Sequence, residues 1–223
     1  MSTRTVRGAF ATPVTRPEAL VQALGGETRI VFDLDGTLYD TRDFEWPALA
    51  AVVAWLCERS GRALPGATQA LWSRRERDRH RPALFDDLLK EQGLPDSWGA
   101  ECLRRFHDYP GVELEAAASL NSTLAVLRSD DRRIALVTNG DPELQKRKLD
   151  RLGMTDAFDA CIFCDPNLPD RLKPSAWAWT QLTDWRGGRP TVHVGDDPVD
   201  AAFAAAGGAR FVPFKFRSPS HGN

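Results

Sequence analysis

The chain has 223 residues, 42% of them hydrophobic and 27% charged, and its formal net charge is −2. That length suits one large domain or a core with a smaller insert, and it needs no disulfide or structural metal to bury a core. The charge balance gives no basis for nucleic acid or membrane partners, and no apolar run approaches the ~20 residues that span a bilayer. The N-terminus holds no uninterrupted apolar stretch of signal-peptide type, and four scattered cysteines form no disulfide framework, so a reducing cytoplasm is the expected setting.

Residues 1–28 read as an N-terminal extension with a short helix over Arg16–Leu24. The first strand signal, Arg29–Asp33, is apolar and delivers Asp33-Leu34-Asp35-Gly36-Thr37-Leu38 at its end. Ionised carboxylates beside a buried strand are costly unless something compensates them. Asp33 and Asp35 lie two positions apart, on one face of an extended chain, and their repulsion calls for a cation or a shared proton. Gly36 permits a turn or a close approach, and Thr37 adds donors. The pattern reads as a metal-assisted carboxylate nucleophile beside an acid/base partner.

From about Thr41 to Pro110 the strand signal disappears. Leu49, Val52, Val53 and Leu56 mark one amphipathic helix, Leu84, Phe85, Leu88 and Leu89 another, and Trp98, Cys102, Leu103 and Phe106 a third. Gly61–Pro65 and Gly93–Pro95 read as connections between them. Trp46, Trp55, Trp72 and Trp98 fit the core of this small unit better than a ligand pocket. The run Arg74–Arg81 reads as a solvated helix face with internal ion pairs, because Glu76 and Asp78 interrupt it. Tyr39, Asp40 and Arg42 stand where the two parts of the chain join, placed to gate access. His107 closes a helical pattern in a structural role.

After Pro110-Gly111 the chain alternates. Leu114, Ala117, Leu120, Leu124 and Leu127 keep helical spacing, and the apolar runs Arg133–Thr138, Ala160–Cys164, Thr191–Gly195 and Ala209–Pro213 read as strands covered on both faces. Thr138-Asn139-Gly140 ends the second with donors aimed at one spot. Asp141-Pro142 and Asp197-Pro198 read as helix caps, and Gly207-Gly208 as a helix end. Cys161 and Cys164 are formally a CxxC, but in a strand they face opposite ways and read as core. Trp177, Trp179 and Trp185 suggest a helix on the sheet. Asp196 and Asp200 add acid after the fourth strand, with Asp196 the better metal ligand, and Lys173-Pro174 follows the third. The expected fold is α/β, a Rossmann-like doubly wound parallel sheet with ligands at the strands' carboxyl ends.

These four motifs, in this order, resemble the haloacid dehalogenase-like hydrolase superfamily over roughly residues 29–213, in the branch with an α-helical cap inserted after the first strand. The resemblance implies a core of residues 29–40 and 111–217, a cap of 41–110 and a tail of 218–223. It implies Asp33 as nucleophile and Asp35 as general acid/base. Phosphate would be held by Thr138, Asn139 and Lys173, and magnesium by Asp33, the Asp35 main-chain carbonyl and Asp196. Asp200 would support the metal shell or hold Lys173. An aspartate at position 35 separates the superfamily's phosphatases from its carbon-attacking dehalogenases, because an alkoxide needs a proton to leave and a halide does not. A single cap lysine, Lys90, argues against a phosphonatase. The expected activity is Mg²⁺-dependent hydrolysis of a small phosphate monoester by a monomer or homodimer. A phosphomutase and a catalytically idle binding module are the alternatives.

Overall fold

The computed structural model describes residues 15–78, 83–110, 118–129, 132–182, 185 and 191–218. The first elements are α1 (Pro17–Leu24), β1 (Arg29–Phe32), α2 (Thr41–Ser60), α3 (Ala67–Arg77), α4 (Leu84–Glu91), α5 (Gly99–His107) and α6 (Ala118–Ser129). Next come β2 (Arg133–Asn139), α7 (Pro142–Arg151), β3 (Ala160–Cys164), α8 (Trp177–Gln181), β4 (Thr191–Gly195), α9 (Pro198–Ala206) and β5 (Arg210–Pro213). The chain divides into two compact units, Met1–Asp40 with Glu115–Asn223, and Thr41–Leu114.

The first unit is built on a parallel sheet in the order β3-β2-β1-β4-β5. β1 is central because Ile30, Val31 and Phe32 bury completely between neighbours and helices on both faces. Its pairing persists one residue past the strand, where the Asp33 N–H donates to the Val194 carbonyl at 2.9 Å. The chain leaves β1 towards β2 and β3, then returns to β4 on the other side. The switch of direction therefore lies between β1 and β4, where α/β sheets place their ligands.

Local chemistry fixes the helix starts after β2 and β4. Asp141 accepts from the Leu144 N–H, with Pro142 opening α7. Asp197 accepts from the Val199 N–H while the Asp200 carboxylate accepts from the Asp197 N–H, a reciprocal cap opening α9. Trp179 stacks on Phe203 at 4.8 Å and donates to the Phe203 carbonyl at 2.8 Å, which seats α9 against the apolar cluster of Val31, Ala135, Val137 and Cys164. Cys161 and Cys164 are free thiols of β3, raised to about 11 by burial.

In the second unit Leu49, Val52, Leu56, Leu71, Leu88 and Phe106 form the core, with Trp72 buried and Trp46, Trp55 and Trp98 packed against it. The arginine run departs from its expected form. α3 ends at Arg77 and Asp78 is extended (φ −149°), so the run is not one helix face. Its ion pairs reach other helices: Arg74 pairs with Glu91, and Arg75 clasps Glu45 with contacts of 2.6 and 3.0 Å. Arg79, His80 and Arg81 lie outside the described residues, as do 1–14 of the extension, Gly111, Leu114, Ala117 and the tail beyond Ser218. Among the described residues no helix is long and apolar enough to cross a membrane.

Candidate active site

The ends of β1, β2 and β4 converge on one charged cluster. β1 releases Asp33 into a turn closed by the Leu38 N–H on the Leu34 carbonyl at 2.9 Å, with Gly36 at φ +83°, a conformation a side chain would strain. β4 ends at Gly195, where a Cβ would fall 2.4 Å from the Asp200 carboxyl carbon, so only glycine lets α9 bring Asp200 that close. Carboxylate oxygens of Asp33, Asp196 and Asp200 all lie within 4.8 Å of one another.

Lys173 anchors two of the three. Its buried ammonium donates to Asp33 Oδ1 and to Asp200 Oδ1, each at 2.6 Å. Asn139 holds the lysine's backbone: its Nδ2 donates to the Lys173 carbonyl at 3.1 Å, and its Oδ1 accepts from the Lys173 N–H at 2.8 Å. Of the sequence-derived residues, Asn139 thus has its side chain engaged by Lys173. The Gly140 N–H is likewise spent, on the Cys164 carbonyl at 3.0 Å. Asp200 takes the second of the two parts foreseen for it, holding Lys173.

Burial pushes Asp33 up to about 8; the Lys173 ammonium pulls it back, but the charges of Asp200, Asp35 and Asp196 add to the rise. Burial would lower Lys173, yet Asp200 and Asp33 hold its proton and raise it. Asp200 is lowered, because Lys173 and His193 outweigh its burial.

Asp35 belongs to a separate set of contacts. Its Oδ1 accepts from Lys148 Nζ at 2.6 Å and from the Tyr39 hydroxyl, and its Oδ2 accepts from Gln145 Nε2 at 2.6 Å. Burial would raise Asp35, but the Lys148 charge and these hydrogen bonds bring it down to about 2. Gln145 Nε2 also reaches Thr138 Oγ1 at 2.8 Å. Tyr39, from full burial, points its hydroxyl at Asp35.

Four side chains of the cluster escaped sequence reasoning. Gln145 and Lys148 sit on α7; His193 lies fully buried in β4, 3.1 Å from Asp200 Oδ1; Lys215 lies 3.4 Å from Asp196 Oδ2. Burial lowers His193, with Asp200 drawing it back up, and because that carboxylate can only accept, Nε2 carries the proton shared between them.

The trio has a consequence for stability in protein stripped of divalent cations. Unfolded, Asp33 loses its proton near ~3.9. Folded, it keeps the proton until about 8. The native state then binds more protons across that interval, so stability falls as pH rises. His193, lowered in the fold, acts in the opposite sense, mostly below its unfolded value of ~6.5 and by only about 0.4 kcal/mol above it. Asp200 and Lys173 contribute slopes only below ~4 and above ~10. Between pH ~6.5 and ~8 the metal-free protein should lose about 1–2 kcal/mol, and Asp33→Asn should remove that loss. Denaturant titrations in EDTA at both pH values check it; a stability that is flat or rising in the wild type refutes it.

Comparison with known proteins agrees with the geometry. The family model described as haloacid dehalogenase-like hydrolase matches residues 28–208. A phosphoglycolate phosphatase of Cereibacter sphaeroides is 30% identical over 203 residues, covering 83% of this chain and 84% of that protein. Among solved structures, the putative HAD-hydrolase YfnB from Bacillus subtilis, bound to magnesium, aligns with a TM-score of 0.59 at 20% identity over 83% of this chain and 87% of its own. A predicted phosphoglycolate phosphatase from Haemophilus somnus aligns at 0.61 and 20% identity, covering 85% and 87%. The matched span contains both strand-end aspartates, the threonine, the buried lysine and the second acidic pair, and the chain belongs to the haloacid dehalogenase-like hydrolase family.

Proposed function

We propose that this hydrolase is a Mg²⁺-dependent phosphatase that cleaves a small phosphate monoester through an aspartyl-phosphate on Asp33. The observation that carries the reading is that two carboxylates two positions apart are held by different cations. Lys173 contacts Asp33, and Lys148 contacts Asp35, each at 2.6 Å. Separate environments for neighbouring acids are what a nucleophile and a proton-transfer group require.

Asp33 would attack phosphorus as the ester P–O bond breaks. Lys173, beside the attacking oxygen, lowers the repulsion between the aspartate and an anionic phosphate. The Thr138 hydroxyl, which accepts from Gln145, keeps its own hydrogen to donate to a phosphate oxygen. A phosphate set against Asp35 raises that carboxyl by like-charge repulsion, so it can give a proton to the departing alkoxide. The same carboxylate then takes a proton from water, which attacks the phosphorus and returns Asp33 with release of inorganic phosphate.

The donor set suits magnesium. Asp33 and Asp196 offer hard carboxylate oxygens within 4.8 Å, and Asp200, already held by Lys173, steadies the pair. When bound there, the ion supplies positive charge that keeps Asp33 ionised and offsets charge on the phosphoryl group. The free thiols are compatible with work in a reducing cytoplasm.

The name of the Cereibacter relatives makes phosphoglycolate the first substrate to try. Purified protein should release phosphate from para-nitrophenyl phosphate and from phosphoglycolate with Mg²⁺, and EDTA should stop both. No release across a broad phosphate panel in folded, magnesium-supplied protein would overturn the reading. An isomeric ester in place of free phosphate would make it a mutase.

A further inference from the structure

α7 places an uncommon pair on its inward face. Leu144 and Leu149 are buried there, and between them Gln145 and Lys148, three positions apart and so on one side of the helix, are 1% and 5% exposed. A carboxamide and an ammonium at positions that apolar residues would fill cost desolvation, and a buried ion pair seldom repays that in stability. Their contacts show where they act. Lys148 Nζ takes Asp35 Oδ1 at 2.6 Å, while Gln145 Nε2 takes Asp35 Oδ2 at 2.6 Å and Thr138 Oγ1 at 2.8 Å. Both Asp35 oxygens are therefore fixed from one helix face. Lys148 also lies 5.9 Å from the centre of the Tyr39 ring, whose hydroxyl shares Oδ1.

The amide orientation of Gln145 follows from its neighbours. The Asp35 carboxylate and the Asn139 carbonyl, 2.6 and 3.2 Å from Nε2, can only accept. Nε2 therefore faces all three oxygens; its two hydrogens serve Asp35 and Thr138 Oγ1, with the longer Asn139 contact sharing one of them. Because an amide nitrogen cannot accept, the Thr138 hydroxyl keeps its own hydrogen for another partner. One carboxamide thus orients both the proton-transfer carboxylate and the phosphate-facing hydroxyl. The start of α7 is fixed by the Asp141 cap, so the face cannot slide relative to β2.

We propose that Gln145 and Lys148 are positioning residues that hold the Asp35 carboxylate where it delivers a proton to the leaving oxygen. The proposal rests on the reading of Asp35 as acid/base given above. Proton transfer needs the donor within roughly 2.6–3.2 Å of its target, and a carboxylate free to rotate leaves that range for much of the time.

Leaving-group chemistry separates positioning from a merely structural role. A para-nitrophenolate departs without a proton, whereas an alkoxide does not. Lys148→Met and Gln145→Leu, both close in volume, should each slow single-turnover release of the alcohol from the best alkyl phosphate about 10–100-fold. Single-turnover release of para-nitrophenolate, which reads the same first step and not the shared hydrolysis of the aspartyl-phosphate, should fall only a few-fold, and Asp35→Asn should show the same asymmetry more strongly. Lys148→Arg, which keeps the charge, should recover part of the alkyl activity.

Circular dichroism and denaturant midpoints identify any variant that fails to fold, and the other then carries the test. Equal losses on both esters in folded variants, with Asp35→Asn still asymmetric, overturn the proposal alone. An Asp35→Asn enzyme that treats the two esters alike removes the acid/base reading, and the proposal with it.

Discussion

Asp33→Asn should give a folded protein whose phosphate release falls by roughly ten-thousand-fold or more, with no rescue by excess Mg²⁺. The carboxamide cannot attack phosphorus, yet it has the same shape and leaves an oxygen for Lys173 Nζ, which now sits 2.6 Å from Asp33 Oδ1. The substitution also removes one of three carboxylates crowded within 4.8 Å. Activity and stability should therefore move apart. In EDTA at pH ~8 the variant should match or exceed the wild type by about 1 kcal/mol, because the wild type must there begin to ionise a carboxyl the fold disfavours. Phosphate release and denaturant titration on the same preparations measure both. Activity that persists in clean Asp33→Asn protein would place the nucleophile elsewhere, and a loss of several kcal/mol would mean Asp33 serves the fold.

The sheet and its caps were legible in the sequence because each has a local signature. The runs around Ile30, Leu136 and Val192 are apolar because both faces are covered, and Asp141-Pro142 and Asp197-Pro198 cap their helices through contacts two or three positions away. Asp33 and Asp196 stand out because each ends such a run. Gln145 and Lys148 do not, since Pro142–Arg151 is polar at most positions and reads as surface. Their one signal is place, between two inward leucines. His193 had a better one: in a strand buried on both sides, a histidine has no exposed face to occupy. The Asn139 clasp on Lys173 spans 34 positions and leaves no local trace. Lysine in a loop ordinarily means solvent, and Lys173 is instead buried against a pair of carboxylates, one brought by the end of β1 and the other by the first turn of α9.

That burial sets the second large effect. Lys173→Met should destabilise the protein by about 3–5 kcal/mol at pH ~8, because it strands two buried carboxylates without a cation. The loss should shrink at pH ~5, where Asp33, already raised to about 8 by burial and its neighbours, holds a proton at little cost. Asp200 cannot escape in the same way, since the Asp197 N–H and His193 hold its carboxylate in place. Adding Asp33→Asn to Lys173→Met should thus recover much of the stability at pH ~8 by removing one of the stranded charges, a coupling of a few kcal/mol between residues in direct contact. Activity should follow a different rule. The single variant should lose roughly a thousand-fold in turnover, since the positive charge beside the transferring phosphoryl group is gone, and the double variant should stay dead. A Lys173→Met protein as stable at pH ~8 as at pH ~5 would show that Asp33 is not the charge this lysine compensates. Full turnover in that variant would show that the ammonium serves the fold and not the phosphate.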